Sequence, residues 1–305
     1  MSITSKDIQG FVSGFHDDST GQPKVSDPGL KFSIVIPSFN QGRFLERTLL
    51  SILNQNYPAI ELIIIDGGST DETLSIIQKY EKNIFYWISE PDKGQSEALN
   101  KGFSKSTGDI YGWQNSDDIY LPGVFAKVSQ VFTNNTNIEV CYGNWYTINK
   151  NDRIINTHYA LKPRVPHYPY ENLDAFNQTI FWKHSAHQRL GNFDPNLYQL
   201  MDNDFIIKLL LNEGPSKFYK TDAFLGAFRN HDDQKTDNRR STQKYFNEEA
   251  YLVRKYNFKP ADSIIGKFYR LRYRFAQLFE SLKDGGVSYT LKRFRVEFKR
   301  RGRFI

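Results

Sequence analysis

One cysteine, Cys141, occurs in 305 residues. A disulfide framework and any metal site built from several thiolates are therefore excluded, and the usage fits a reducing compartment. No run approaches 18 consecutive apolar residues, so no transmembrane helix is expected. Residues 1–31 mix Lys, Asp, Ser and Gly without the apolar stretch of a secretory signal, and read as a polar lead-in. Together these absences point to a cytoplasmic protein. Two nucleotide loops are missing as well. No GxGxxG follows the first apolar run, and neither GxxxxGKS nor GxxxxGKT occurs anywhere. This speaks against a dinucleotide dehydrogenase and a P-loop ATPase.

Charge is present but unevenly placed. Residues 254–305 hold 15 Lys or Arg against 4 Asp or Glu, a balance of +11, which leaves −5 for the rest of a chain whose net charge is +6. A mildly acidic body with a basic end points to a membrane surface or a polyanion. Aromatic residues are plentiful, and their faces both pack cores and stack on sugars and bases.

Apolar runs of buried-strand type begin near residues 32, 60, 84 and 109, and stretches of helical periodicity at 44–55, 71–80 and 97–106 lie between them. This alternation predicts βαβ units and an α/β fold, a mostly parallel central sheet with helices on both faces. Right-handed crossovers then bring the loops after the strands to one rim. Those loops read FNQG, DGGSTD, EPDKG and NSDD; three carry Asp and three carry Gly, and their convergence predicts a ligand site. Asp66 ends the second strand, where a carboxylate can accept from a ribose hydroxyl or a base N–H. With Ser69 it can equally form a turn and cap. In YGWQNSDDIY, residues 111–120, Asn115 precedes the adjacent carboxylates Asp117 and Asp118. Acidic oxygens at a sheet rim suit Mg or Mn. On spacing alone, a strand end with Asp118 capping the next helix reads as well.

IVIPSFNQGRFLERTLLSILNQNYPAIELIIIDGGSTDET, then SEPDKGQSEALNKGF, then GDIYGWQNSDD resemble, in that order, the opening of a family 2 glycosyltransferase with a GT-A fold. The resemblance covers residues 32–235. It implies that Pro37, Asp66 and Ser69 line a nucleotide pocket, with Asp92 and Lys93 beside it, nearer the sugar and phosphates. Asn115, Ser116 and Asp117 would be the DxD-type element, with Asn115 and Ser116 on the donor and Asp117 on the metal and diphosphate. Asn115 stands where Asp is commoner, and an amide oxygen is a weaker ligand. Asp118 would support from behind. Gln178 matches a polar position of such enzymes, and GNFDP at 191–195 resembles their GGFD turn. Asp202, at the start of an apolar-faced helix over 200–211, would be the catalytic base, although a capping role fits the same position. Asp204 is the weaker candidate, since residues two apart on a helix do not face the same way. AFRNHDDQKT at 227–236 would add His231 to the metal shell or the diphosphate, or leave it structural.

The activity implied is transfer of a hexose from a nucleotide-diphosphate sugar, a UDP-sugar foremost, to an acceptor hydroxyl, with Mn or Mg as cofactor. One base without a second, nucleophilic carboxylate implies single displacement and inversion, an inference that leans on the resemblance. The setting implied is bacterial cell-surface glycan synthesis with a saccharide or lipid-linked saccharide acceptor. Two rivals stay open: a non-catalytic nucleotide- or sugar-binding scaffold, and a sugar-phosphate nucleotidyltransferase. The second needs a Gly- and Arg-rich phosphate loop after the first strand, which PSFNQG does not supply.

The remainder of the chain predicts a helix at 121–135, a strand at 139–142, a hairpin at 144–159 and a strand at 176–182. Residues 161–170 read as an acceptor-side loop or a plain connection. His184 and His187 share a helix face without a third ligand and read as surface residues. Toward the end, Ile264, Phe268, Leu271, Phe275, Leu278 and Leu282 form one helical stripe interleaved with Lys267, Arg270, Arg272 and Arg274. Gly285 and Gly286 break it, and Val287, Leu291, Phe294 and Phe298 form a second. Such basic amphipathic helices suit an anionic leaflet, with the enzyme peripheral on the inner face of the cell membrane. They would also suit docking on the core or on a partner chain. No nucleic-acid motif accompanies the charge, so no nucleic acid is expected. The organisation predicted is a lead-in over 1–31, a glycosyltransferase domain over 32–240 (nucleotide half 32–120, acceptor half 121–240) and a basic helical tail over 241–305.

Overall fold

Phe32–Ser38 is buried along its whole length, the pattern of a strand covered on both faces. It is the centre of a computed structural model that describes residues 3–14, 29–161, 177–232, 234, 242–259 and 263–301. Along the chain run α1 (Ser5–Phe11), β1 (Phe32–Ser38), α2 (Gly42–Leu53), β2 (Ile60–Asp66), α3 (Thr73–Lys79), β3 (Tyr86–Ser89), α4 (Gln95–Phe103), β4 (Ile110–Trp113) and β5 (Ile119–Tyr120). Then follow α5 (Val124–Asn134), β6 (Val140–Asn149), β7 (Ile154–His158), β8 (Ile180–Lys183), α6 (His184–Leu190), α7 (Met201–Glu213), β9 (Phe218–Asn230), α8 (Gln243–Lys255) and α9 (Ile264–Arg301).

The strands form one sheet in the order β3-β2-β1-β4-β8-β6-β9-β5, with β7 on β6. β3, β2, β1 and β4 are parallel. β8 runs against β4 and β6, while β9 is parallel to β6, so most strands share one direction. Register aligns Ser38 with Asp66 and Asp66 with Ser89, so three strand ends meet at one level of the rim. Each face carries its own core. Apolar residues of α1, α2, α3 and α5 cover one face, and those of α4, α6, α7 and α8 the other. Gly102 sets the spacing on the second face, since a Cβ there would lie 2.3 Å from Val35 Cγ1.

The structure departs from the sequence reading in several places. The lead-in contains α1, whose Thr4 and Asp7 form a reciprocal capping box and whose Ile8 is fully buried. The strand expected at 139–142 and the first arm of the hairpin at 144–159 are one strand, β6. Its register shifts around Gly143, where a side chain would strike Ala223 O and Leu225. Most of β9 had no counterpart in the sequence reading. The region from 241 is not all tail, because α8 sends Leu252 into the second core. The break expected at Gly285–Gly286 is present, with Gly286 at φ 72° inside α9. Of the acceptor-side loop expected at 161–170, all but Leu161 lies outside the described residues, as do residue 176 and the side chains of residues 294 and 298.

His184 and His187 are not free surface residues. His184 stacks on Tyr111, and His187 packs between Phe103, Tyr111 and Trp182. Trp182 Nε1–H donates to His187 Nδ1 (3.4 Å), which requires that nitrogen unprotonated. Burial, and then the His184 charge, push His187 down to about 4 from its ordinary 6.5. Between those values the unfolded chain binds a proton that the folded chain refuses. Stability therefore falls as pH drops from about 6.5 to 4, by up to about 3 kcal/mol for this residue. Urea unfolding at pH 7.5 and pH 5 should show a larger loss for wild type than for His187→Gln; equal losses would assign the acid sensitivity elsewhere.

Candidate active site

The rim begins at Asp66, which is fully buried. Its carboxylate accepts from Ser69 Oγ, from the N–H groups of Gly68 (3.1 Å) and Ser69 (2.8 Å), and from Ser89 Oγ (2.7 Å). Four donors meet about four lone-pair sites, so this carboxylate shapes the DGGS turn. Ser69 Oγ also accepts from Asn40 N–H (2.8 Å), and Asn40 Oδ1 accepts from Thr70 N–H (2.9 Å). The loops after β1 and β2 are thus tied together. Pro37 is buried within β1 opposite Ile65. Phe39, two residues on, is 59% exposed, and its ring edges Gly67.

The NSDD loop is held from below. Thr48 and Ser51 lie one turn apart on α2, and Gln55 follows just past its end. Thr48 Oγ1 donates to Ser116 O (3.0 Å) and Asp118 O (2.7 Å). Ser51 Oγ accepts from Tyr120 N–H, while Gln55 donates to Leu121 O and accepts from Val124 N–H. Asp118 is buried, and its Oδ1 accepts from Arg229 N–H (2.7 Å). Burial, and then the Asp117 charge, hold its carboxyl well above the usual carboxylate range. Asn115 Oδ1 accepts from Trp113 Nε1 (3.0 Å) and Gln95 Nε2 (2.8 Å), and its amide donates to Asp118 Oδ2 (3.2 Å). An Asp in this place could accept both bonds but could not make the third.

Asp117 keeps its side chain 18% exposed. Its Oδ2 lies 3.1 Å from His231 Nε2, and its backbone carbonyl accepts from Arg229 Nε (2.7 Å). His231 is buried against Phe44, 4.5 Å between ring centres, and its Nδ1 has no partner among the described residues. Arg229 is buried, paired with Asp152, and stacked 5.1 Å from Phe44. The structure thus joins Asn115, Asp117, Asp118 and His231 into one cluster.

EPDKG meets this cluster through α4, since Gln95 begins that helix. Asp92 Oδ1 accepts from Gly94 N–H (2.7 Å), and a Cβ on Gly67 would crowd Asp92 Oδ2 at 3.0 Å. Lys93 is exposed. Tyr198, 42% exposed, lays its ring against Gly94.

Asp202 is part-exposed in the first turn of α7, with its Oδ1 accepting from Asn203 N–H (2.9 Å). It is not the cap, because that position is Leu200. Asp204 is buried and bound to Tyr256 OH (2.6 Å), Lys255 Nζ (2.8 Å) and Lys208 Nζ (3.2 Å), which commits it to packing. Gln178 is fully buried, and neither end of its amide finds a partner among the described residues.

Several of these residues escape a reading of the sequence. Thr48, Ser51 and Gln55 leave a trace, a polar row beside the apolar face of α2. Arg229 sits beside His231 in AFRNHDD, but its burial is a tertiary fact. Gln95, Phe39 and Tyr198 carry no local signal.

A sequence profile described as Glycosyl transferase family 2 matches residues 33–195. An uncharacterized glycosyltransferase of Nostoc sp. is 28% identical over 139 residues, 45% of this chain and 43% of that one. The chain therefore spans less than half the length of that relative. The GalNAc(5)-diNAcBac-PP-undecaprenol beta-1,3-glucosyltransferase of Campylobacter jejuni is 31% identical over 104 residues, 33% of this chain and 34% of that one. Among solved structures, the mannosyltransferase PcManGT of Pyrobaculum calidifontis, in complex with GDP-Man and Mn2+, superposes with a TM-score of 0.54. That match takes in 90% of this chain and 83% of that one at 14% identity, a likeness that shows the GT-A fold. With the profile spanning more than half of its residues, the chain belongs to glycosyl transferase family 2.

Proposed function

We propose that this glycosyltransferase moves a sugar from a nucleotide-diphosphate donor to an acceptor hydroxyl by single displacement, with inversion at the transferred carbon. The observation that carries the reading is the Asp117–His231 pair, 3.1 Å apart, on the rim where the FNQG, DGGS and EPDKG loops converge. The pair suits a divalent cation in its donor chemistry, one carboxylate oxygen and one imidazole nitrogen. The described residues hold no group of three His, Cys, Asp or Glu able to bind a metal. Asp117 and His231 would hold a Mg or Mn ion together with oxygen donors from outside the chain. Such an ion would offset charge on the leaving diphosphate.

The chain's own groups divide the remaining work. Phe39 offers an exposed ring for a base to stack on. Backbone around Gly67 and Asp92 would meet the ribose and phosphates, since Asp66 and Ser69 are spent on the turn. Asp202 takes the acceptor's proton, because Asp204 is engaged by cations and a phenol.

The acceptor side is read from α9. No helix among the described residues is long and apolar enough to cross a membrane. Yet Ile264, Phe268, Leu271, Phe275, Leu278, Phe279 and Leu282 are 37–87% exposed, while Tyr273 on the opposite side is buried. The helix turns its apolar stripe outward, with Lys267, Arg272, Arg274 and Lys283 beside it. This favours an anionic bilayer surface, and with it a lipid-linked saccharide as acceptor in cell-surface glycan synthesis at the inner face of the membrane.

Calorimetric titration with UDP, GDP and CDP should find one nucleotide that binds in the presence of Mn. Asp117→Ala should weaken that binding roughly tenfold or more, about 1.4 kcal/mol. Mn-independent binding unaffected by Asp117→Ala would remove the metal site. Asp202→Asn should cut turnover about 10²–10⁴-fold while donor affinity stays within a factor of about three; undiminished turnover would exclude it as base. The full chain should sediment with phosphatidylglycerol vesicles, and the Phe275→Glu, Phe279→Glu double variant should remain in the supernatant. Equal sedimentation of both would place the stripe against protein.

A further inference from the structure

Beyond the segment that matches the family profile, α8 presents a buried carboxylate to the entrance of α7. Glu248 accepts from the backbone N–H groups of Tyr198 (3.1 Å), Gln199 (2.8 Å) and Leu200 (2.9 Å). These three residues lead directly into the helix that carries Asp202. Leu200 occupies the N-cap and offers no side-chain acceptor of its own. A carboxylate that gathers three converging amides makes charge-assisted bonds, and it sits where a helix end favours negative charge. Its two oxygens divide the three donors, so they fix the direction of the segment as well as its position.

The same segment is gripped from the donor side. Ser96 Oγ donates to Leu197 O (3.0 Å), and Asn100 bonds Phe193 both ways, at 3.0 and 2.7 Å. Both residues lie on α4, which starts at the EPDKG loop. The approach to α7 is therefore held between the helix of the donor loop and α8. Only the α8 side does so with a charge.

We propose that Glu248 is a positioning residue of the transfer reaction: it sets the orientation of the first turn of α7 and so the reach of Asp202 toward the donor. This rests on the reading of Asp202 as the base. Glu248 is not what keeps α8 in place. Leu252 is in the core, Lys255 bridges Asp194 and Asp204, and Tyr251 OH bonds Asp194 (2.8 Å). Loss of the Glu248 charge loosens the entrance to α7 while α8 stays docked.

The test compares Glu248→Gln, Lys255→Met and Asp202→Asn. Turnover is read as release of UDP from UDP-glucose, UDP-galactose and their N-acetylamino counterparts, with Mn and with water or an alkyl glycoside as acceptor. Nucleotide affinity is read by titration with UDP and Mn. A misplacement of about 1 Å costs up to roughly 10²-fold. Glu248→Gln should therefore lower kcat between about tenfold and a hundredfold with nucleotide Kd unchanged. Lys255→Met, which weakens the docking of α8 and its hold on Asp204, should lower Tm more and kcat less than Glu248→Gln does. Loss of turnover in Asp202→Asn together with wild-type kcat in Glu248→Gln overturns the positioning role and leaves the base standing. Turnover retained in Asp202→Asn overturns the base and this role with it. Should Glu248→Gln fail to fold, Glu248→Asp keeps the charge but draws it back by one methylene, and a folded variant with wild-type kcat overturns the role equally.

Discussion

A buried guanidinium has to find its counter-charges inside the fold, and Arg229 organises the site by doing so. Its side chain is fully buried, and an ion without partners there would cost several kcal/mol. The partners come from three places. Asp152 supplies the opposite charge, shared with Arg47 of α2. The Asp117 carbonyl accepts from Nε, and the Asp118 carboxylate accepts from the backbone N–H. The end of β9, the turn after β6 and the NSDD loop are therefore set relative to one another by one residue. Phe44 lies under the group, its ring about 5 Å from the cationic carbons of Arg43, Arg47 and Arg229. Cations on an aromatic face add about 0.5–2 kcal/mol each. Removing its side chain would leave Asp152 with Arg47 as its cation and free the Asp117 carbonyl, so its loss would reach beyond one contact.

The carboxylates of the rim fall into two groups. Asp66, Asp118, Asp204 and Glu248 are buried and turned inward onto backbone amides or buried partners. Asp92, Asp117 and Asp202 keep part of their surface open. The first group costs desolvation and recovers it through hydrogen bonds, which leaves the loops stiff. The second can meet a ligand because the first has already fixed the backbone around it. Electrostatic work at a reacting centre depends on such groups being in place beforehand.

Much of this could be read from the chain. Runs of β-branched and aliphatic residues announce β1 and β2, and the Gly- and Asp-rich loops after them announce the rim, since local composition governs both. Gly286 breaks α9 because only glycine readily adopts its left-handed φ. The misses share a different cause. α1 is polar by composition, and its capping box gains meaning only once Ile8 has a core to enter. β9 lacks clean alternation because Lys220, Thr221 and Asp222 interrupt it, and its neighbours β6 and β5 impose the extended form. α8 is amphipathic and charged like the tail, and separates from it through tertiary contacts of Glu248, Tyr251, Leu252 and Lys255. Asp66 looks like a ligand residue until the four donors around it are counted, and no spacing rule contains them.

The outward stripe of α9 has a consequence for kinetics in the proposed setting. Apolar surface left in water forgoes about 25 cal/mol per Å², so a row of seven large side chains, with exposures of 37–87%, favours any interface that can cover it. A catalyst held at the plane where its second substrate is anchored searches an area instead of a volume. Tethering of this kind raises local concentration without adding a contact at the reacting centre. A modest intrinsic affinity for the acceptor would then suffice.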